Sequence, residues 1–265
     1  VKSIKIELSR ELTSLEIVPF ADLHLGDPLC DVNLIKEKIE YVKNNDNVYC
    51  LLNGDILNNS TKTSVGDVYG EKLKPMEQLE RAVKLFEPIK DKILCVTNGN
   101  HEARTYKNDG IDLSALLCSQ LNIEDRYANE SALIFLRFGK SSIQLFESKG
   151  SGKVRMICYT IYVTHGSGGG RKEGAKAIRL ADMASIVDCD IYIHSHTHLP
   201  MVMKEAFHRI DLQNSKVALV DKLFVNTSAC LNYGGYGEAF EYKPASKDNP
   251  HIFLSGTKKR FTAKL

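Results

Sequence analysis

Apolar residues gather in short runs at 15–21, 48–52, 93–97, 157–164 and 191–193, which read as buried strands. Between the early runs, 32–42 repeats Ile35, Ile39 and Val42 at helical spacing behind Asp31, and 75–86 opens on a proline; both predict helices. Strands alternating with helices imply right-handed crossovers and a largely parallel sheet, hence an α/β fold. Further on, 132–146 reads as two strands about Gly139-Lys140, and 174–187 as a helix. After Pro200 the pattern shortens to alternating pieces such as 217–220 and 223–225, which predict a second, more antiparallel sheet. No internal repeat and no linker divides the chain, so residues 1–265 read as a single domain.

Composition narrows this only where it excludes something. A 265-residue chain with 43% hydrophobic and 26% charged residues is a folded protein rather than a disordered one. Its 35 Lys+Arg against 33 Asp+Glu leave a charge of +2, so no global field recruits nucleic acid or an anionic membrane, and any such contact is local. Seven cysteines, an odd number without a Cys-x-x-Cys pair, argue against a disulfide framework. Cys50, Cys95, Cys158 and Cys189 lie in or beside apolar runs and read as small buried hydrophobes, and none of the seven is assigned to metal. Charges interrupt residues 1–20 and no apolar run approaches bilayer length, so the expected location is cytoplasmic, with no membrane partner.

The chemistry gathers just past the end of each run, in Asp22-Leu23-His24, Gly54-Asp55, Gly99-Asn100-His101-Glu102, His165-Gly166 and His194-Ser195-His196-Thr197-His198. Six of the eight histidines fall here, where chance would scatter them. Ligands of open α/β sheets bind outside the carboxyl ends of the strands, so five segments distant in sequence converge on one crevice. Singly the pieces are weak: an aspartate ending a strand can cap a turn or helix, Asn100-His101 can be a turn, and His165 can be structural. His194, His196 and His198, however, share one face of an extended segment. Imidazole, carboxylate and one amide without thiolate suit Zn²⁺, Fe or Mn²⁺. Asp22, His24, Asp55, Asn100, His165, His196 and His198 are too many for one tetrahedral ion and match two ions sharing a carboxylate. Two metals about 3.5–4 Å apart activate water while clamping a phosphoryl group, so the predicted reaction is phosphoester hydrolysis.

In this order the motifs closely resemble those of the calcineurin-like metallophosphoesterase superfamily, whose signature runs Asp-x-His, Gly-Asp, Gly-Asn-His-Glu/Asp, His and Gly-His-x-His. Asp22/His24, Gly54/Asp55, Gly99 to Glu102, His165 and His196/His198 match it, with Ser195 where the family has Gly. Serine is small and its flanking histidines are intact, so the departure bears on local backbone rather than on metal binding. The resemblance implies a sandwich of two mostly mixed β-sheets flanked by helices, with the site at the carboxyl ends of the strands. It further implies that Asp22, His24 and His198 hold one ion, that Asn100, His165 and His196 hold the other, and that Asp55 bridges them. A water or hydroxide between the ions then attacks phosphorus in line, and His101, the non-ligand, protonates the leaving oxygen or stabilises its charge. Glu102 and His194 are expected to orient ligands. The expected cofactor is a pair of divalent ions, Mn²⁺ foremost, with Fe, Zn²⁺, Ni²⁺ and Co²⁺ as alternatives.

Loops after the ligand-bearing strands should frame the substrate pocket. Residues 58–62 come after Asp55, and the Gly-rich stretch 166–172 comes after His165 and ends in Arg171 and Lys172. The second loop either cradles phosphate or is a turn with solvated charges. Arg104 is a phosphate contact or a surface residue. Tyr233 and Tyr236, on a glycine-rich stretch, stack a base or pack. Lys258, Lys259, Arg260 and Lys264 make a basic C-terminus that a solvated tail also explains. The resulting expectation is a phosphodiesterase acting on nucleotides or nucleic acid, with Arg104, Arg171 and Tyr233 as substrate contacts. The alternatives are a phosphomonoesterase or protein phosphatase on the same site, or a non-catalytic interaction module on this fold, against which the complete ligand set argues.

Overall fold

Asp31 accepts a hydrogen bond from Leu34 N (3.1 Å) and starts the first helix, as its place before the periodic run requires. The computed structural model describes residues 1–62, 64, 68–141, 155–168, 170, 172–212 and 214–265. In chain order the first half holds β1 (Lys2–Glu7), β2 (Ser14–Phe20), α1 (Val32–Asn44), β3 (Val48–Asn53), α2 (Pro75–Phe86) and β4 (Ile93–Thr97). Next come α3 (Glu102–Asp109), α4 (Leu113–Leu121), β5 (Tyr127–Ala128), β6 (Ser131–Phe138), β7 (Ile157–Thr164), α5 (Glu173–Asp182) and β8 (Ile191–His194). The chain closes with β9 (Met201–Asp211), β10 (Lys216–Asn226), α6 (Gly235–Ala239), β11 (His251–Ser255) and β12 (Phe261–Lys264).

Side chains alternate across a strand, so each buried strand feeds two cores. Val18, Phe20, Cys50, Leu52 and Val96 face α1, α2 and α4, where Ile35, Ile39, Leu79, Phe86 and Leu117 close the layer. Their sequence neighbours Ile17, Leu51 and Cys95 face the other way, onto Ile134, Leu136, Tyr159, Ile161, Val163, Ile191 and Val225 of a second sheet. The far face of that sheet carries Tyr162, Tyr192 and Phe224 under Leu180 and Met183, with the Tyr192 and Phe224 rings stacked at 4.7 Å. The result is helix, sheet, sheet, helix. One six-stranded sheet runs β12-β11-β2-β3-β4-β5 and the other β1-β6-β7-β8-β10-β9. Both are mixed: β2, β3, β4 and β5 are parallel, as are β7, β8 and β10, while β11 and β9 pair antiparallel to their neighbours. Asn53 at the end of β3 donates to Thr164 O at the end of β7 (2.9 Å), so the carboxyl ends of the two parallel groups share one edge of the sandwich.

The strands at 48–52, 93–97 and 157–164 and the helix at 75–86 lie where the apolar pattern puts them. The region after Pro200 differs. The pieces 217–220 and 223–225 are one strand, β10, and it joins the sheet of β7 and β8 rather than opening a new one. Its first half projects beyond the sandwich, with Val217 and Leu219 exposed, and its second half is buried; the broken pattern records a change of burial, not the end of a strand. The stretch 174–187 ends its helix at Asp182 and continues as a 3-10 turn (Met183–Ser185). For 132–146, β6 accounts for the first strand, and most of the second lies outside the described residues. The basic C-terminus is not a free tail: β12 pairs with β11, and Lys259 reaches Asp190 at 2.9 Å. All seven cysteines are free. No helix among the described residues is long and apolar enough to cross a membrane.

Candidate metal centre

The loops after β2, β3 and β8 are bent by backbone that L-residues seldom adopt. Asp22 (φ 51°), His24 (φ 49°), Asp55 (φ 51°), Asn59 (φ 43°), His196 (φ 66°) and His198 (φ 54°) are all left-handed. Such residues cost of order 1–3 kcal/mol each and persist only where surrounding structure over-determines them. Here the loops after β2 and β3 are zipped together: Asp22 N donates to Gly54 O (3.1 Å), Leu23 N and His24 N to Asp55 O (2.8 and 3.0 Å), and Leu25 N to Ile56 O (2.9 Å). The motif glycines are required by close approach. A Cβ on Gly54 would lie 2.6 Å from His165 Nδ1, and one on Gly99 would lie 2.2 Å from Asp55 N.

These turns gather every candidate ligand. Donor atoms of Asp22, His24 and His198 lie within 4.8 Å of one another, as do those of Asp55, His165 and His196, and those of His24, Asp55 and His101. Asp55 Oδ2 and Asn100 Oδ1 are each 3.2 Å from His165 Nε2, and Asp22 Oδ1 is 3.2 Å from His198 Nε2. The arrangement is a candidate binuclear centre with Asp55 between its halves. Two atoms inside it, Asp22 Oδ1 and His24 Nε2, are buried without a hydrogen-bond partner. Asp22 Oδ1 has only the His198 ring beside it and His24 Nε2 has no polar partner; leaving such buried lone-pair donors without hydrogen bonds is costly, so the residues fit divalent cations. His165 Nδ1 meets Asn53 O at 2.7 Å, which places the ring proton there in the neutral ring and leaves Nε2 bare toward Asp55.

The electrostatics differ across the centre. Burial, with His101 alongside, holds His24 down to about 3, and burial with His165 alongside holds His196 to about 4. Burial also works against a charged His165, but the Asp55 carboxylate outweighs it and raises the ring to about 10. Burial opposes ionisation of Asp55 too, and His165 in turn holds that carboxyl well below the usual range.

Around the ligands stands a shell of braces. Glu102 accepts from Asp55 N (3.0 Å), Leu57 N (2.8 Å) and Gly99 N (3.1 Å), so it fixes the ligand loops through their backbone; burial and Asp55 push it up to about 7. His194 Nδ1 meets Asn226 Oδ1 (2.8 Å), and Asn226 Nδ2 donates to Thr197 Oγ1 (2.8 Å), tying down the loop of His196 and His198. Ser195 Oγ accepts from Asn53 Nδ2 (2.6 Å) and Thr227 Oγ1 (2.8 Å), so the residue that replaces the expected glycine joins the two sheets beneath the centre. Asn53 and Asn226 are members that sequence reasoning missed, and Asn58 and Asn59, expected in the pocket wall, act as braces. Their partners lie up to 142 residues away, and no local pattern announces the contacts.

The substrate candidates divide. Arg104 sits at the centre, its Nη2 2.9 Å from His101 Nε2. Tyr233 is half-exposed on the segment whose Cys230 N donates to Asp22 O (3.0 Å). Arg171 lies outside the described residues, and α6 contains Tyr236. Asn58, Asn59 and Ser60, expected to frame the pocket, are instead buried, and Gly166 gives room to His194, whose Nε2 a Cβ would meet at 2.0 Å. A separate cleft of about 410 Å³, lined by Leu25, Cys30, Leu73, Arg81 and neighbours, includes none of the candidate ligands.

Among solved structures, the chain is similar to an uncharacterized protein, a predicted phosphoesterase, from Streptococcus pneumoniae TIGR4 (16% identity, TM-score 0.37, covering 95% of this chain and 90% of that one). It is also similar to the Pseudomonas putida nuclease MPE (11%, TM-score 0.37, 94% and 87%) and to wild-type Vps29 complexed with Zn²⁺ from Entamoeba histolytica (10%, TM-score 0.37, 94% and 97%). No curated protein matches in sequence. The family model for calcineurin-like phosphoesterases matches residues 17–200, a span that takes in every strand end bearing a candidate ligand, and the chain therefore belongs to the calcineurin-like phosphoesterase family.

Proposed function

We propose that residues 1–265 form one metallophosphoesterase domain that hydrolyses phosphodiesters of nucleotides or nucleic acid. Asp22, His24 and His198 would hold one divalent ion, Asn100, His165 and His196 the other, and Asp55 both. Bound there, the ions, Mn²⁺ by our reading, supply an activated water and neutralise charge on the phosphoryl oxygens. The chain does the rest. Glu102 and the Asn53–Ser195–Thr227 bonds hold the ligand loops in register, and His101, 3.8 Å from Asp55 Oδ2, would face the leaving group.

The observation that carries the finer reading is Arg104 in contact with His101, a cation beside the reacting groups; the exposed ring of Tyr233, near the Asp22 loop, supports a base at the rim. With a chain charge of only +2, nucleic-acid contact is confined to this cleft. The test is a hydrolysis panel with Mn²⁺ spanning a phosphomonoester, a phosphodiester, cyclic nucleotides and single- and double-stranded DNA. Diesters are expected to lead, with DNA turnover falling more steeply with salt than turnover of a small chromogenic diester. A strong preference for the monoester or a phosphoprotein moves the protein to the phosphatases, and no turnover with any substrate points to a binding module.

A further inference from the structure

Arg104 and His101 meet in a geometry that decides which of them can serve a substrate. Arg104 Nη2 is 2.9 Å from His101 Nε2, and its Nη1 donates to Asn58 O at 3.2 Å. A guanidinium has five N–H donors and no lone pair to offer, so His101 Nε2 must be the acceptor. His101 Nδ1 lies 2.6 Å from the same Asn58 carbonyl, which can only accept, so the ring proton sits on Nδ1. Both ring nitrogens are engaged, and Nε2, the nitrogen that faces Asp55, carries no proton to give. The pair is anchored from behind: Asn59 Nδ2 donates to His101 O (2.7 Å), and Thr105 Oγ1 donates to Asn59 Oδ1 (2.8 Å).

We propose that Arg104 is a catalytic residue whose guanidinium meets the negative charge developing on the leaving oxygen, and that His101 is a positioning residue that aims it. The proposal rests on phosphoester hydrolysis at this centre. In that step the P–O bond to the leaving group breaks with its electron pair on the leaving oxygen, and a P–O bond forms to the oxygen of water. The proton that water gives up reaches the departed alkoxide through solvent. Arg104 contributes a permanent positive charge and N–H donors already oriented by two fixed acceptors, so no proton need move within the protein as the bond breaks.

The test uses the metal-loaded full chain, Arg104→Ala, Arg104→Lys, His101→Ala and the double variant, on aryl and alkyl esters graded by leaving-group acidity, as both mono- and diesters. Arg104→Ala should slow poor leaving groups by roughly 10²–10³-fold and good ones far less, with metal content unchanged. His101→Ala should give the same leaving-group pattern, and the double variant should be little worse than either. Added guanidinium ion should restore turnover in Arg104→Ala but not in His101→Ala, and Arg104→Lys should recover little, since an ammonium cannot span both anchors. Independently of turnover, nitrogen-15 spectra of the metal-free protein should show His101 protonated on Nδ1, with an Nε2 resonance that moves in Arg104→Ala. A proton on Nε2, an Arg104→Ala loss equal for good and poor leaving groups, or leaving-group sensitivity lost only in His101→Ala each overturns the assignment. A monoester preference with the Arg104 pattern intact overturns the diesterase reading alone, and a wild type inactive on both ester classes overturns both.

Discussion

The Asp22/His24/His198 triad and the Asp55/His165/His196 triad use the same donors, one carboxylate and two imidazoles, yet the surroundings shift His24 and His165 in opposite directions. His24 is faced by other imidazoles, with His101 and His198 ring centroids 4.5 and 5.4 Å away, and burial keeps it neutral, at about 3. His165 is as deeply buried but has Asp55 Oδ2 at 3.2 Å, and that carboxylate lifts it to about 10. Residue type therefore says which groups can bind a cation, while the position of one carboxylate says which must first surrender a proton. These shifts predict that a dication meets a bare ring at His24 and displaces a proton at His165.

The most damaging way to break this contrast is to remove the carboxylate that creates it. Asp55→Ala should cost both triads their ions and reduce turnover to background, read by elemental analysis beside activity; retention of two ions would show that Asp55 is not shared. The contrast itself predicts a pH effect. Because a cation must displace the His165 proton, affinity at that triad should rise up to about tenfold per pH unit and level off near 10, with one proton released per ion, whereas His24 adds no such dependence above about 3. Calorimetry in buffers of different ionisation heat measures the proton count. The same shift has a stability consequence in the metal-free protein. His165 is raised in the fold, so its contribution is complete below 6.5 and is lost as pH rises through about 10, and thermal melts across that window should fall accordingly.

Smaller effects sharpen the comparison by touching one side only. Tyr233→Ala, on the segment bonded to Asp22, should weaken nucleotide substrates by roughly 1–3 kcal/mol while sparing a small aryl diester, the amount a stacked base contributes; equal losses on both would remove the base-stacking role. Ser195→Gly, on the other side, strips an acceptor from Asn53 and Thr227 and should cost about 1–3 kcal/mol of stability with both ions retained. Loss of the ions instead would make Ser195 a determinant of the centre's geometry.

Much of the site was legible because strands buried on both faces leave short apolar runs, and the residue just beyond such a run must sit at a sheet edge. That places Asp22, Asp55, Asn100, His165 and His196 near the carboxyl ends of strands without any knowledge of their neighbours. The pattern misled where burial changes along one strand, as in β10, and it missed β1, whose Ile4 and Ile6 alternate with Ser3, Lys5 and Glu7 at a sheet edge. It was silent on Asn53 and Asn226 and on the bracing role of Asn58 and Asn59, because an amide that braces a loop obeys no period.

What the sequence determined by itself was the list of donors, their order and the α/β character, all of which stem from residue chemistry and from periodicities of a few residues. Tertiary structure alone decided that two mixed sheets meet along one edge, that the Asp55 carboxylate raises His165 while burial lowers His24, and that Arg104 closes on His101. The physical reason is range: donor chemistry and strand period are local properties, whereas a proton's position depends on burial and on charges within a few ångströms, which only the folded chain brings together.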